Sequence, residues 1–205
     1  MKLYDYGGAP NPRRVHIFLA EKGMEVERVH VDIMQLEQKS EAMLARNPSG
    51  KIPVLETDDG RHIAESVAIC RYLEALQPEP NLFGRDAYEL GYIESRNRQI
   101  ELELWTQIGT SWVNGPIVAR SGRFEQIPAA KEASDKNVLR YYERLDREFA
   151  DSAWVAGNRF SVADISLVCA IDFASTLVGL PVPDGLEHLS RWHADVAARP
   201  SYEAK

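Results

Sequence analysis

The chain has 205 residues, 44% of them hydrophobic and 27% charged, and its 24 basic against 31 acidic side chains leave a net charge of −7. This is the composition of an ordinary globular protein, long enough for two small domains or one large one. With no basic patch and no run of like charge, nucleic acid is not an expected partner. No stretch approaches the roughly 18 consecutive apolar residues of a membrane helix, and the chain opens on a strand pattern rather than a signal peptide, so neither membrane nor export is expected and the cytoplasm is the expected location. Cys70 and Cys169 each lie alone among apolar residues of predicted helices and should be buried, inert thiols. His16, His30, His62, His188 and His193 match no ligand spacing, so no metal is expected.

Residues 2–6 alternate as a first strand and end at Gly7-Gly8-Ala9-Pro10-Asn11-Pro12, a segment whose two prolines argue against helix. Residues 13–22 place Val15, Phe18 and Leu19 on one helical stripe, with Gly23 as its terminator. Residues 26–32 alternate again, which completes a β-α-β unit with parallel strands. A weak helical pattern covers 35–46.

The densest stretch is 47–66. Pro53 removes a backbone donor and makes a cis bond after Ile52 accessible, so that Ile52 can offer its own N–H and C=O to a peptide-like ligand. Val54 and Leu55 start a strand, Asp58-Asp59-Gly60 turns it, and Arg61-His62-Ile63 returns as an antiparallel hairpin. Val67, Ala68, Ile69, Tyr72, Leu73 and Leu76 follow at helical spacing, placing Glu65-Ser66 at a helix N-terminus, where free amides and the helix dipole favour an anion.

Pro78 and Pro80 lie in an aperiodic segment that reads as a linker, giving expected domains over 1–77 and 85–205 joined by 78–84. Beyond it no strand pattern occurs. One long helix is expected to run to about residue 112 or 118 and another over 127–149. Ser161 and Asp164 form an acidic variant of a helix capping box, with Phe160 placed to staple onto Ile165.

Asn47-Pro-Ser-Gly-Lys-Ile-Pro-Val-Leu followed by Glu65-Ser66 resembles the glutathione-site signature of the cytosolic glutathione transferase family. The Gly157 to Asp164 pattern and the ending around Arg199-Pro200-Ser201 are similar to that family as well, so the resemblance covers nearly the whole chain. It implies a thioredoxin-like α/β N-terminal domain, an all-α C-terminal domain and a homodimer. It also implies glutathione as cosubstrate, with its thiolate attacking an apolar electrophile or a disulfide, and possible uses in disulfide or peroxide reduction. Other readings that the same fold admits are a specialised glutathione-dependent isomerase or lyase, and a noncatalytic member that binds apolar ligands or a protein.

By resemblance, Ser66 and the helix amides hold the γ-glutamyl carboxylate, Glu65 its ammonium, Ile52 before Pro53 the cysteinyl backbone, and Gln38 with Lys51 the glycyl carboxylate. Gln38 stands where many relatives carry histidine. The largest departure is at the catalytic loop, where Ala9 replaces the serine that bonds the sulfur in many relatives. Asn11 matches the asparagine of the Thr-Pro-Asn motif of the bacterial Nu class and yeast prion-like relatives. Tyr6 lies near the strand end like the catalytic tyrosine of other classes, and backbone amides are the third source of stabilisation. Trp105, Ile108 and Trp112, on one face of the long helix, are candidates for a hydrophobic substrate site, although an aromatic stripe of this kind is more often core or subunit contact.

Overall fold

The structure, a computed structural model that describes residues 1–122 and 124–204, opens with β1 (Lys2–Asp5), α1 (Pro10–Lys22) and β2 (Glu27–His30). The helix starts three residues earlier than the prolines suggested. Pro10 and Pro12 occupy its first turn, where amide hydrogens have no intrahelical partner, so a proline there removes nothing the helix needs. Ala9 is the N-cap and offers no side-chain bond, while Gly23, at φ 61°, closes the helix in the left-handed region.

A 3₁₀ turn at Glu37–Lys39 and α2 (Glu41–Arg46) replace the single weak helix expected over 35–46. The hairpin is β3 (Val54–Glu56) and β4 (His62–Ala64), followed by α3 (Ser66–Leu76). The sheet order is β2-β1-β3-β4, with β1 parallel to β2 and antiparallel to β3. Tyr4 and Val54, paired across β1 and β3, join Val31 and Met43 in one buried cluster. The neighbouring pair, Leu3 and Leu55, points to the other face by strand alternation and is equally buried. This is a thioredoxin-like unit.

At the C-terminal end of β1 the Asp5 carboxylate is buried. It bonds His16 at 2.6 Å and accepts from Arg28 at 2.8 and 2.9 Å. Burial alone would raise its pKa, but these bonds outweigh burial and hold it below the ordinary carboxylate range.

Contacts divide the chain into one unit of residues 1–83 with 200–204 and a second of Gly84–Arg199. The proline-rich segment is therefore held by the first unit. The buried Lys22 ammonium donates to the carbonyls of Gln77, Pro78 and Pro80 and pairs with Glu74, whose carboxylate accepts from the Leu82 amide.

The second unit is helical. α4 (Ala87–Gln99) passes through a π-helical stretch, Ile100–Trp105, into α5 (Thr106–Val113), and the short α6 (Pro116–Ala119) follows. α7 (Pro128–Phe149), α8 (Val162–Phe173) with a π-helical extension to Val178, and α9 (Glu187–Ala197) complete it. The capping box forms, and its Asp164 does more than cap. Fully buried, it accepts from the amides of Val155 and Ser161, from the Ser161 hydroxyl and from Trp192 Nε1, all between 2.9 and 3.1 Å. Phe160 meets Trp154 edge-on and lies beneath the Arg199 guanidinium. Cys70 and Cys169 are buried free thiols, as expected.

Candidate active site

Asn11, Asn47, Lys51, Ile52, Pro53, Glu65 and Ser66 line one pocket in the first unit, of about 90 Å³. Residues from α1, the Pro loop and the start of α3 converge there. Asn47 builds the loop: its side-chain amide donates to the Lys51 carbonyl at 2.8 Å, while its oxygen accepts from the Ser49 amide and hydroxyl. That brace precedes the Ile52-Pro53 bond, which is cis, and the Ile52 backbone enters no backbone–backbone hydrogen bond among the described residues. A strand-like ligand can therefore pair with it.

At the other end, Glu65 is the N-cap of α3 and Ser66 its first residue. Glu65 holds φ 67° and ψ 115°, a conformation that costs a side-chain-bearing residue about 1–3 kcal/mol, and its side chain makes no capping bond. Strain of this kind at the rim of a pocket is where a binding requirement is expected to override local preference. Ser66 is buried, with its hydroxyl 2.5 Å from Arg14 Nη1, and the same nitrogen lies 3.4 Å from Asn11 Oδ1. Together the α3 amides and Arg14 form a positive end to the pocket.

Six candidates thus come together: Asn11, Lys51, Ile52, Pro53, Glu65 and Ser66. Tyr6, Ala9 and Gln38 are not among the lining residues. The Tyr6 ring tilts against His30 with 5.5 Å between centroids, Ala9 is spent as the cap of α1, and Gln38 lies on the 3₁₀ turn with its Oε1 buried. In the second unit, Ile108 is fully buried and belongs to the helical core rather than to an open wall. Trp105 and Trp112 both pack on Phe173, at 6.0 and 5.3 Å. Among the described residues no group of His, Cys, Asp and Glu could hold a metal ion. The sequence pattern alone does not single out Asn47, which lines the pocket, or Arg14, which bonds Ser66 and Asn11. Asn47 opens the recognised motif, whereas nothing in the local pattern separates Arg14 from a solvated helix arginine.

A thioredoxin-like unit with a helix start and a cis-Pro loop on one pocket, followed by a helical unit, defines the class of glutathione-transferase folds. Residues 9–76 match the glutathione S-transferase N-terminal domain family and residues 112–200 the C-terminal domain family. The chain is 36% identical to glutathione S-transferase 2 of Saccharomyces cerevisiae, over 98% of this chain and 87% of that protein. The crystal structure of Gtt2 from Saccharomyces cerevisiae superposes with a TM-score of 0.92 at 35% identity, covering 98% of both chains. A glutathione S-transferase domain-containing protein of Marinobacter aquaeolei superposes at 0.90 with 36% identity, covering 98% of this chain and all of that one. The chain belongs to the glutathione S-transferase family.

Proposed function

We propose that this protein is a glutathione transferase, in which glutathione lies along the pocket of the first unit and its thiolate attacks an electrophilic carbon, forming a carbon–sulfur bond as a leaving group departs with its bonding electron pair. The observation that carries the reading is the convergence of a positive α3 start, the Ile52 backbone ledge and Asn11 on one pocket. The γ-glutamyl carboxylate takes the α3 amides and the Ser66 hydroxyl, Glu65 takes the ammonium, Ile52 pairs with the cysteinyl backbone, and Lys51 reaches the glycyl carboxylate. That order along the pocket directs the thiol toward the Pro-Asn turn.

A free thiol with pKa about 8.5 is only a few per cent ionised at neutral pH, and lowering that value by roughly two units makes the thiolate predominant. Asn11 is the proposed donor. Its amide can hydrogen-bond the sulfur without titrating, which suits a loop whose serine position is Ala9. Reduction of a disulfide by the same thiolate would use the same groups. The proposed assembly is a homodimer in the cytoplasm.

Calorimetry with glutathione and steady-state turnover on a panel of small electrophiles and one mixed disulfide test the proposal. Saturable binding with turnover is expected. Binding without turnover of any of these would leave a noncatalytic member of the family, and no binding would refute the site.

A further inference from the structure

The second unit holds a cavity of about 370 Å³, lined from α8, its π-helical extension, the segment that follows and α9. Ile171, Pro181 and Val182 form an apolar wall. Asp172, Ser175, Ser190 and His193 form a polar one. A volume of this order suits a small molecule. None of these residues lines the pocket of the first unit, so this is a separate place on the chain.

The polar wall is built around one carboxylate. Asp172 Oδ1 lies 2.6 Å from His193 Nε2, a bond that ties α8 to α9 and fixes the carboxylate at the cavity. The two side chains are 19% and 29% exposed, and ion pairs with access to water contribute little to stability, so the fold alone is a weak reason for this one. While the imidazole is neutral the carboxylate keeps its charge, and its two oxygens accept more than one donor. Ser175 lies on the π-helical stretch, an irregularity that helices frequently carry at functional sites. It is also in the last turn, whose carbonyls give a helix end partial negative charge. Among the described residues no lysine or arginine lines the cavity.

Negative charge beside an apolar wall selects an organic cation, and the serines narrow its class. A primary ammonium carries three N–H donors, as a lysine head does, and Asp172, Ser175 and Ser190 are three acceptors in one cavity. A quaternary ammonium would leave the hydroxyls unused, and a carboxylate would meet like charge.

We propose that this cavity is a second ligand site that takes a small primary amine with a compact apolar body. The ammonium sits on Asp172 and the two serine hydroxyls, and the body lies against Ile171, Pro181 and Val182. The proposal does not depend on the glutathione site.

Benzylamine is the probe, titrated into the full chain while the Ile171 methyl and His193 imidazole resonances are followed. Benzyl alcohol, benzyltrimethylammonium and benzoate are the neutral, donor-free and anionic controls. Benzylamine is expected to shift both resonances saturably, and each control to bind about tenfold or more weakly. Asp172→Asn keeps the size of the side chain and removes its charge. It is expected to weaken benzylamine about tenfold or more and to leave benzyl alcohol unchanged. A pair that only holds the helices together would lower the melting temperature of Asp172→Asn and leave benzylamine affinity unmoved, and that outcome overturns the proposal. So does the absence of a saturable shift at Ile171 and His193, or any control that binds as tightly as benzylamine. If Asp172→Asn does not fold, Ser175→Ala with Ser190→Ala replaces it, and benzylamine affinity unchanged in that variant overturns the proposal. Nα-acetyllysine amide carries the same ammonium on a peptide unit, and tighter binding by it than by benzylamine overturns a free amine as the occupant.

Discussion

At the scale of single residues, Asn11 and Tyr6 are separated by position and by chemistry. Asn11 lines the pocket, whereas Tyr6 does not and instead packs its ring on His30. Asn11→Ala is expected to raise the pKa of bound glutathione and lower turnover tenfold or more, on the order of 1.4 kcal/mol in the barrier. Tyr6→Phe removes one oxygen and should change neither, as thiolate titration and turnover on the same electrophile would show; the reverse pattern would make Tyr6 the activator. Glu65 and Ser66 admit a cleaner test than a capping pair would. The Glu65 side chain makes no capping bond, so Glu65→Gln loses little of the roughly 1 kcal/mol that a capping side chain contributes, whereas Ser66→Ala also strips an acceptor from the buried Arg14 and is expected to cost about 1–3 kcal/mol of stability. In the proposed binding mode each removes a bond to a charged ligand group, about 1.5–3 kcal/mol of binding. Calorimetry beside a denaturant melt should find affinity lost in both variants, with folding nearly kept in Glu65→Gln and measurably weakened in Ser66→Ala, and unchanged affinity in both variants would return the pair to a plain helix start. What could be read from the residues was chemistry tied to backbone punctuation, as at Pro53 and Gly60. Arg14 could not be read, because burial of a charged side chain arises only when α1 and α3 pack.

At the scale of elements, the hairpin, the parallel β1 and β2 and the capping box were legible because turn residues and alternation specify them locally. The start of α1 differs from the expectation because proline breaks a helix only in its interior, and the first turn tolerates it. The π-helical stretches at Ile100–Trp105 and Ala174–Val178 have no local signature, since helical periodicity runs through them. The start of α8 makes a pH prediction. Burial pushes Asp164 up to about 6, against the four bonds that favour its charged form. A group whose folded pKa lies above its unfolded value adds stability that is complete below the unfolded pKa and lost as pH rises through the folded one. The window is therefore about pH 4 to 6. Asp164→Asn removes this titration and leaves donors facing an amide, so the variant should be less stable than wild type, by a margin that narrows between pH 4 and 7. Urea melts across that range decide it. A margin that widens with pH would mean the four donors outweigh burial.

At the scale of the whole molecule, ligand and assembly act on one observable, the melting temperature, and can be told apart. A ligand at about 100 times its dissociation constant stabilises the folded state by roughly 2.7 kcal/mol. At about 2–4 °C per kcal/mol for a chain of this size, saturating glutathione should raise the midpoint by roughly 5–10 °C. Association shows differently. On α4, Tyr88 is 75% exposed and stacks on Tyr92, itself 40% exposed, at 5.7 Å between centroids, and an aromatic pair left in water marks a surface that gains by being covered. Light scattering should give twice the 23.1 kDa chain mass, and the midpoint should rise with protein concentration at fixed glutathione. Tyr88→Ser with Tyr92→Ser should weaken or abolish that concentration dependence while keeping a glutathione shift, because the pocket residues all lie in the first unit and α4 in the second. A double variant that still scatters as a dimer at low micromolar concentration would remove this face from the assembly. A midpoint unmoved by millimolar glutathione at every protein concentration would instead remove the ligand, since mass action requires the shift wherever binding occurs.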